Sequence, residues 1–569
     1  MFMVRLLTAF VSTVFFSISV GCVSADLTTD ATQIQDSQAA VATAHPLATE
    51  AGVSILKQGG NAFDAAVTVS AVLAVVEPYS SGVGGGGFWL LHSANTKKDV
   101  MIDGRERAPL AATSDMFLDK NGDVIPKSSI DGPLSAGIPG VPAALVHMAN
   151  NYGELPLSVT LKPAIDIAKN GFEVDEFFRR MINFRLEAIQ ACWATAEIFL
   201  IDDQAPDQDY RLRQADLAKT LQAIVDHGSD GFYKGEIADK LISSVRSAGG
   251  IWTHEDLASY RVIERQPVYG EYKGMKITAV PPPSSGGVAL VEMFNMLSDI
   301  DYAKSTDSQR VHYVTEVMRR AYRDRAEYMG DTDFVNVPVE RLISKAHAKN
   351  IISELSPDKA TLSSSLKPIE TDDKKSVDTT HFSVIDKKGN RVAATLSINY
   401  PFGSGFVAEG TGVLLNDEMD DFSLKPGTPN IYGLVGGHAN SIQPGKRMLS
   451  SMSPSFLETE DRLAILGTPG GSRIITMVML AALAFHENGE ASELADLPRY
   501  HHQYLPDKIF YESGAFSRKT INNLNHMGHV LEEKQSPYGN MQVVIKDKKT
   551  SRVSAASDKR GIGKSVVFH

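Results

Sequence analysis

The segment Asp378-Thr379-Thr380-His381-Phe382 marks the point where a polar stretch gives way to a β-type run. A threonine hydroxyl is a weak nucleophile unless a base lies beside it. If the chain is cut before Thr379, the freed α-amine can be that base, because its ordinary pKa of about 7.7–8.0 suits proton transfer near neutral pH. A threonine pair at the start of a strand is also explained by β-propensity alone. The interpretation of Thr379 as a nucleophile therefore needs support from other parts of the sequence.

The hydrophobic period changes on either side of this segment. Before it, helical spacing predicts helices over 62–76, 215–226, 237–248 and 308–328, and the polar, low-complexity residues 356–378 predict a surface linker. After it, short β-type runs predict strands at 379–385 and 391–399, and the last of them form a final hairpin at 541–546 and 551–556. We therefore expect a helix-rich half that ends near residue 378 and a strand-rich half that follows.

Composition limits the classes of protein that this chain can be. It has 569 residues, of which 43% are hydrophobic and 22% charged, and this composition is typical of globular proteins and not of disordered, collagen-like or polytopic membrane chains. The net charge of −12 gives no global electrostatic reason to bind nucleic acid. The two cysteines, Cys22 and Cys192, are too few for a disulfide framework or a thiolate metal site.

The first 25 residues predict export. Arg5 is the only charge before Asp26, an apolar run covers 6–20, and Val23-Ser24-Ala25 has the small-x-small pattern of a cleavage site. We expect a signal peptide that is cleaved after Ala25 and a mature protein that is periplasmic or secreted. The alternatives are an uncleaved N-terminal anchor and lipidation at Cys22.

Two further motifs have structural explanations. Gly82 to Gly87 matches G-x-G-x-x-G, but the order is helix before and strand after, which is the reverse of a dinucleotide site. A tight turn or close backbone packing explains the glycines better. His501-His502 lacks a further ligand at the spacing of a helical metal site, so packing or hydrogen bonding is the better interpretation. We predict no metal and no cofactor.

Several separate strings together resemble the gamma-glutamyltranspeptidase family over residues 39–561. Besides the 378–382 segment, they are Glu77-Pro78 with the glycine run, Asp103-Gly104-Arg105-Glu106, the proline–serine–glycine string 281–287, Asn416 to Phe422, Ser450-Ser451-Met452-Ser453-Pro454, Thr468 to Arg473 and Arg499 to Gln503. The resemblance implies an α+β, N-terminal-nucleophile hydrolase fold, a four-layer αββα sandwich with two stacked antiparallel sheets. It also implies self-cleavage of the Asp378–Thr379 bond into a large subunit (26–378) and a small subunit (379–569) that stay together as a heterodimer.

The resemblance further implies the roles of individual residues. Thr379 would be the nucleophile and its α-amine the base, Ser397 a neighbouring hydroxyl, and the amides of Gly470 and Gly471 the oxyanion hole. The donor's α-carboxylate would bind Arg105, Ser450 and Ser451. Its α-ammonium would bind Asn399, Glu418 and Asp421, with Tyr432 in a lid at 425–437. Two positions depart from the family: Ser397 stands where threonine is common, and His438 replaces an acidic residue.

The implied activity is that of a γ-glutamyltransferase and glutathione hydrolase, which passes a γ-glutamyl group from glutathione to water, amino acids or peptides. A cephalosporin acylase of the same fold is one alternative. Its glutaryl group has no ammonium, so it gives no reason to bury Glu418 and Asp421. A catalytically inactive exported binding protein is the other alternative, and the complete set of site residues argues against it. The sequence leaves open the physiological donor and acceptor, the ratio of hydrolysis to transfer, and the oligomeric state.

Overall fold

The computed structural model describes residues 38–366 and 379–569. The predicted signal segment 1–25 with Cys22, the later part of the predicted linker and Asp378 lie outside the described residues.

The helices are α1 Pro46–Lys57, α2 Ala62–Val76, α3 Val141–Asn151, α4 Leu157–Thr160, α5 Lys162–Asn170, α6 Glu176–Phe184, α7 Leu186–Gln190, α8 Trp193–Phe199, α9 Ala215–His227, α10 Asp230–Tyr233, α11 Gly235–Ser247, α12 His254–Ala258, α13 Gly286–Ser298, α14 Asp307–Tyr328, α15 Val339–Leu342, α16 Lys345–Ile351, α17 Ile474–His486, α18 Ala491–Asp496 and α19 Arg518–His526. The strands are β1 Ala39–Thr43, β2 Gly86–Ser93, β3 Lys98–Gly104, β4 Phe172–Glu173, β5 Arg211–Leu212, β6 Ile263–Arg265, β7 Val268–Tyr272, β8 Met275–Ala279, β9 Thr380–Ile385, β10 Arg391–Ser397, β11 Val407–Ala408, β12 Val413–Leu414, β13 Ser455–Glu458, β14 Arg462–Gly467, β15 Tyr500–His501, β16 Ile509–Glu512, β17 Leu531–Lys534, β18 Gln542–Asp547, β19 Val553–Ser557 and β20 Lys564–Phe568.

Two antiparallel sheets carry the architecture. The first has seven strands in the order β20-β1-β9-β10-β2-β3-β6, and the second has six in the order β19-β18-β14-β13-β8-β7. In the pair β9–β10, Thr380 lies opposite Leu396. The start of β9 and the end of β10 therefore meet at the same end of the first sheet.

Alternate side chains of the first sheet pack into two different cores, because successive residues of a strand point to opposite faces. Phe382 and Val384 of β9 pack with helices α1, α2 and α3. Ile385 of β9, with Ala40 and Ala42 of β1, belongs to the core that contains the second sheet and helices α13, α14 and α17. Strands β9 and β10 contact β14 and β18 of the second sheet. The layers are therefore helix, sheet, sheet and helix, and the predicted α+β sandwich is confirmed.

Local signals locate the helices well. Helix α2 has the predicted bounds, and the side chain of Asn61 caps it by accepting hydrogen bonds from the amides of Phe63 and Asp64. Every residue of α2 is buried, as its Ala- and Val-rich sequence predicts. Glu77, which follows the last residue of the helix, contacts Thr380 at the start of β9.

The half of the chain before residue 378 contains most of the helices, as predicted, but it also contributes strands to both sheets. The half before residue 378 also supplies β1, β2, β3 and β6 to the first sheet and β7 and β8 to the second. Strands β7 and β8 form a hairpin across Lys273 and Gly274, whose φ angles are 46° and 86°. The predicted C-terminal hairpin is confirmed as β18 and β19, but it is not the last element, since β20 follows it and pairs with β1.

The first part of the predicted linker is held against the body of the protein. The amide of Thr361 donates to Glu316 Oε1 at 3.1 Å, and the amide of Ser363 donates to Asp507 Oδ2 at 2.7 Å. Ser363 is fully buried. Residues 356–366 are therefore anchored at Thr361 and Ser363 by charged partners distant in sequence, while the rest of the stretch is at least partly exposed, and the predicted linker stays a prediction.

The glycine run packs against neighbouring backbone. A Cβ on Gly84 would lie 2.0 Å from the carbonyl oxygen of Leu414, and one on Gly85 would lie 2.2 Å from that of Ser397. The predicted close backbone packing is confirmed, and Gly85 touches the residue that ends β10. Among the residues described, every helix is too short or too polar to cross a lipid bilayer.

Candidate active site

Thr379 stands one residue before β9, next to the end of the adjacent strand. Its Oγ1 lies 3.4 Å from Ser397 Oγ, and both residues are buried. Ser397 Oγ accepts a hydrogen bond from the Asn399 amide at 2.8 Å. Asn399 has a φ of 73°, and its side chain donates to the Asp417 carbonyl at 3.1 Å. The tight turn after β10 thus fixes a hydroxyl beside Thr379.

A narrow cavity of about 20 Å³ lies beside Thr379 and gathers almost all of the predicted site residues. Its lining consists of Arg105, Thr379, Ser397, Asn399, Glu418, Asp421, Tyr432, Leu434, Ser450, Ser451, Met452, Gly471, Ser472 and Ile474. Gly470 is the one predicted pocket residue that is not part of this lining.

A buried arginine lines the cavity and lies against three carboxylates, two of which also line the cavity. Arg105 is 1% exposed, and its guanidinium donates to Glu418 Oε2 at 2.5 Å and to Asp421 Oδ2 at 2.6 Å. Glu106 Oε2 lies 3.4 Å from Nη1 of the same guanidinium. Burial lowers the pKa of Arg105, but the three carboxylates outweigh burial and raise it. Arg105 is therefore a permanent cation within an excess of acidic groups.

Because three carboxylates surround one guanidinium, not every carboxylate oxygen has a cationic or hydrogen-bonding partner. Burial raises the pKa of Glu418 to about 7, although Arg105 acts in the opposite direction. Burial and the charge of Glu418 hold the pKa of Glu106 well above its usual range. Glu418 Oε1 is buried without a hydrogen-bond partner among the described residues. An ammonium group in the cavity would pair with Glu418 and Asp421, which line it, and a carboxylate beside that ammonium would pair with the Arg105 guanidinium.

The serine pair is held in place by the proline–serine loop. The Ser450 amide donates to the Pro283 carbonyl at 2.8 Å, and the Ser450 carbonyl accepts from Ser285 Oγ at 2.8 Å. Ser451 Oγ accepts from Nη2 of Arg325 at 3.3 Å. Arg325 is a buried residue of α14 that the sequence analysis missed, since nothing local distinguishes it from the other arginines of that helix.

Segment 425–437 covers the cavity. The Tyr432 hydroxyl donates to the Asn399 carbonyl at 2.6 Å, and Tyr432 is buried. Nε2 of Gln503, a buried side chain, donates to the Tyr432 carbonyl at 3.3 Å. His438 lies just after this segment, is exposed, and begins a short 3₁₀ turn. The sequence identified Gln503 only as the last residue of the string Arg499 to Gln503. Its contact with the lid was not predicted, because that contact depends on tertiary structure.

The two glycines lie at the start of helix α17. Gly470 and Gly471 have φ angles of 142° and 55°, and a 3₁₀ turn over Gly471–Arg473 leads into the helix. Within residues 38–366 and 379–569, neither amide donates a backbone hydrogen bond. A Cβ on Gly471 would lie 2.4 Å from the ring of Tyr432. A tight turn and free amides therefore coexist here, as the sequence suggested.

Glu77 contacts the residue after Thr379. Its Oε2 accepts a hydrogen bond from Thr380 Oγ1 at 2.7 Å, and the carboxyl group is 3% exposed. Burial raises the pKa of Glu77 to about 7. The carboxyl group thus ties the end of α2 to the start of β9, next to the candidate nucleophile.

The histidine pair makes hydrogen bonds, as predicted. His501 Nδ1 lies 2.9 Å from Thr476 Oγ1, and His502 Nε2 lies 3.2 Å from Asp507 Oδ1. Burial lowers the pKa of His501 to about 3 and that of His502 to about 4, so both rings are neutral near pH 7. Their environment is that of packed, hydrogen-bonded side chains.

A four-layer αββα body with a threonine at the start of a central strand, facing a polar cavity, defines an N-terminal-nucleophile hydrolase. Comparison with known proteins places the chain within that class. The profile of the gamma-glutamyltranspeptidase family matches residues 48–568. The chain belongs to the gamma-glutamyltranspeptidase family, and the predicted family, fold and enzyme class are confirmed.

Individual relatives agree with this assignment. The chain is 40% identical over 536 residues to the glutathione hydrolase proenzyme of Escherichia coli (strain K12), covering 93% of this chain and 91% of that protein. It is 43% identical over 497 residues to the glutathione hydrolase proenzyme of Pseudomonas sp. (strain A14), covering 86% and 85%.

Solved structures of two activities share the fold. A cephalosporin acylase from Bacillus halodurans aligns with a TM-score of 0.82 at 27% identity, covering 93% of this chain and 96% of that chain. The gamma-glutamyltranspeptidase of Helicobacter pylori aligns with a TM-score of 0.56 at 44% identity, covering 57% and 93%. Overall shape therefore does not separate the two activities, and the chemistry of the pocket has to do so.

Proposed function

We propose that this chain is a precursor that cuts itself between Asp378 and Thr379 and then acts as a γ-glutamyltransferase and glutathione hydrolase. The observation that carries the proposal is that Thr379 shares one small buried cavity with Arg105, Glu418 and Asp421. A nucleophile beside paired cationic and anionic groups suits a donor whose far end is an amino acid.

Maturation and catalysis would use the same hydroxyl. In the precursor, Thr379 Oγ attacks the carbonyl carbon of Asp378, the C–N bond breaks, and the amide becomes an ester. Water hydrolyses the ester and leaves the Asp378 carboxylate and a free α-amine on Thr379. The products would be the large subunit 26–378 and the small subunit 379–569, which remain a heterodimer.

In catalysis, the free α-amine takes the proton of Thr379 Oγ as the oxygen attacks the γ-carbonyl carbon of the donor. The amides of Gly470 and Gly471 would stabilise the developing oxyanion, because they lie at a helix start without backbone acceptors. The C–N bond then breaks, the leaving amine takes the proton, and a γ-glutamyl ester remains on Thr379. Water or the amine of an amino acid or peptide resolves the ester. No step in this sequence requires a cofactor.

The donor's α-carboxylate would bind Arg105, Ser450 and Ser451, and its ammonium would bind Asn399, Glu418 and Asp421. Arg105 now pairs with two of these carboxylates. A zwitterionic donor can replace these ion pairs with new ones. Its carboxylate would pair with the Arg105 guanidinium, and its ammonium would pair with Glu418 and Asp421, which Arg105 would then release. A glutaryl donor would take the guanidinium and leave buried carboxylates uncompensated, which costs several kcal/mol (~3–5). The pocket therefore favours the γ-glutamyl donor over the glutaryl donor of an acylase.

The leaving group and the acceptor would occupy the opposite side of the nucleophile. Thr379 also lines a second cavity of about 570 Å³, whose wall includes Arg180, Tyr538 and Arg560. Cationic side chains there suit acceptors that end in a carboxylate. Export of the protein, with signal cleavage after Ala25, is part of the proposal and rests on the sequence of residues 1–25.

The experiment is to express the full chain and its Thr379→Ala variant and to examine both on a denaturing gel with N-terminal sequencing. We expect two subunits from the parent protein, with mature N-termini at residues 26 and 379, and one uncleaved, inactive chain from the variant. Thr379→Ser keeps the hydroxyl and should be cleaved and active, although more slowly, because the lost methyl group no longer restricts χ1. Thr380→Ala is the control and should still be cleaved before residue 379.

Two subunits from Thr379→Ala without added protease would overturn the self-cleavage mechanism. Circular dichroism must match between the two proteins, since the substitution removes only a small side chain. Cleavage without γ-glutamyl activity in the parent protein would instead retain the processing step and reject the substrate assignment.

A further inference from the structure

Three ionisable side chains meet where helices α13, α14 and α16 pack together, apart from the pocket. They are Glu292, Asp324 and His347, and one donor atom from each lies within 4.8 Å of the other two. Nε2 of His347 lies 2.6 Å from Asp324 Oδ2 and 3.7 Å from Glu292 Oε1. The sequence gives no sign of this cluster, because its members come from three separate helices.

Glu292 is the unusual member of the cluster. Its side chain is 0% exposed, and neither of its carboxylate oxygens has a hydrogen-bond partner among the described residues. The 3.7 Å separation from His347 Nε2 is beyond hydrogen-bond distance. Burying a carboxylate without a partner costs several kcal/mol (~3–5), so this environment calls for a bound cation or a bound proton.

The other two side chains are held so that they face Glu292. Oδ1 of Asp324 accepts from the Arg323 guanidinium, which leaves Oδ2 directed at His347. The amide of His347 donates to Ser344 Oγ at 3.1 Å, which caps α16 and fixes the helix turn that carries the imidazole. Outer partners that orient a carboxylate in this way are a regular feature of metal sites.

We infer that Glu292, Asp324 and His347 form a binding site for a divalent transition-metal cation, with Zn²⁺ as the best fit. Two carboxylate oxygens and one imidazole nitrogen are a donor set that Zn²⁺ takes at about 2.0–2.2 Å, with water as the fourth ligand. Ca²⁺ requires about six to eight oxygen ligands, which this buried cluster does not offer.

The spacing of Glu292 and His347 suits a metal ion better than a proton shared between these two side chains. Tetrahedral ligands at about 2.1 Å stand about 3.4 Å apart, close to the 3.7 Å between Glu292 and His347. A proton bridging these two atoms would need a separation of about 2.7–3.0 Å. The 2.6 Å contact between His347 and Asp324 has to lengthen when the metal binds. The proton shared by these two side chains is then released, because both must be deprotonated to act as ligands.

The cluster braces the helix that supports the pocket. Asp324 is adjacent in sequence to Arg325, whose guanidinium donates to Ser451 Oγ. Tyr322, on the same helix, donates to the carbonyl of Ser472, at the start of α17. A metal ion joining α13, α14 and α16 would therefore stabilise the floor of the pocket without touching a substrate.

The test uses the purified full-length protein after chelator treatment and dialysis against Zn²⁺, with bound metal measured by inductively coupled plasma mass spectrometry. Glu292→Gln keeps the shape of the side chain and removes its charge, and Glu340→Gln changes an exposed carboxylate on neighbouring α15 as the matched control. We expect the parent and Glu340→Gln to bind one equivalent of Zn²⁺ more than Glu292→Gln does, with at least tenfold tighter affinity for that equivalent. Their Tm should also rise on Zn²⁺ addition, while that of Glu292→Gln should not.

His347→Gln gives an independent variant, since it changes a residue near the surface, and it should lose the same equivalent. Equal Zn²⁺ content in the parent, Glu292→Gln and His347→Gln would overturn the inference. So would an unchanged Tm of the parent protein with saturating Zn²⁺. Neither readout depends on enzymatic activity, so the result is independent of the proposed function.

Discussion

Replacing Asp421 by alanine should remove much of the pocket's preference for a donor with an α-ammonium. The Asp421 side chain is 12% exposed, and its Oδ2 lies 2.6 Å from Nη2 of Arg105. In the variant, the donor ammonium keeps Glu418 and loses its second carboxylate. A charged hydrogen bond contributes about 1.5–3 kcal/mol, and breaking a fully buried pair costs about 3–5 kcal/mol. Because Asp421 is partly exposed, we expect a loss of ~2–4 kcal/mol, or roughly 30- to 1,000-fold in kcat/KM for a γ-glutamyl anilide.

The assay compares this anilide with the glutaryl anilide, which lacks only the amine, on the same enzyme preparation. With the glutaryl substrate, kcat/KM should fall less than about threefold, because this substrate has no ammonium group that could pair with Asp421. Asp421→Asn, which keeps the shape, should behave like alanine if charge is responsible. Asp115→Asn, an exposed carboxylate, should change neither rate. Equal losses on both anilides would refute the reasoning, since the effect would then come from a general distortion of the pocket.

Three further predictions test other parts of the site. Arg105→Lys keeps the charge and loses the planar fork, so donor affinity should fall by roughly 1–3 kcal/mol in KM and inhibitor measurements; an unchanged affinity would show that Arg105 does not bind the carboxylate. Gly471→Ala places a Cβ 2.4 Å from the Tyr432 ring and requires a φ of 55°, so the lid should be displaced and kcat/KM should drop at least tenfold, whereas normal kinetics would contradict the observed packing. The raised pKa of Glu77, about 7 against an ordinary 4.5, means that its stabilising contribution is complete below pH 4.5 and is lost as the pH rises through 7. In the uncleaved Thr379→Ala background, the free energy of unfolding of Glu77→Gln relative to its parent should therefore increase by up to roughly 3 kcal/mol between pH 5 and pH 8 in urea titrations, and a constant difference would argue against a titrating Glu77.

The sequence predicted features that depend on local pattern. Helix α2 was predictable because Asn61 caps it and its residues are mostly apolar, and most pocket residues were predictable because they stand in recognisable strings. Features that depend on distant pairing were not predictable in this way. Strand β20 acquires its role only by pairing with β1 at the other end of the chain, and Arg325 acquires its role only by reaching Ser451. The anchoring of residues 361 and 363 was not predictable for the same reason, since the carboxylates that hold them are distant or come later in the chain.

The order of strands in the two sheets determines how the protein can be assembled. In the first sheet, β20, β9 and β10 come from after residue 378 and alternate with β1 and β2 from before it, and in the second sheet β13 lies beside β8. While the chain is continuous, these pairings form within one molecule and each segment is always near its partner. After a cut before Thr379, the same pairings would have to form between two separate molecules, at a large cost in translational entropy. The uncut chain is therefore the species that folds, and a processed enzyme that unfolds has lost its efficient route back, so its lifetime is set by its rate of unfolding.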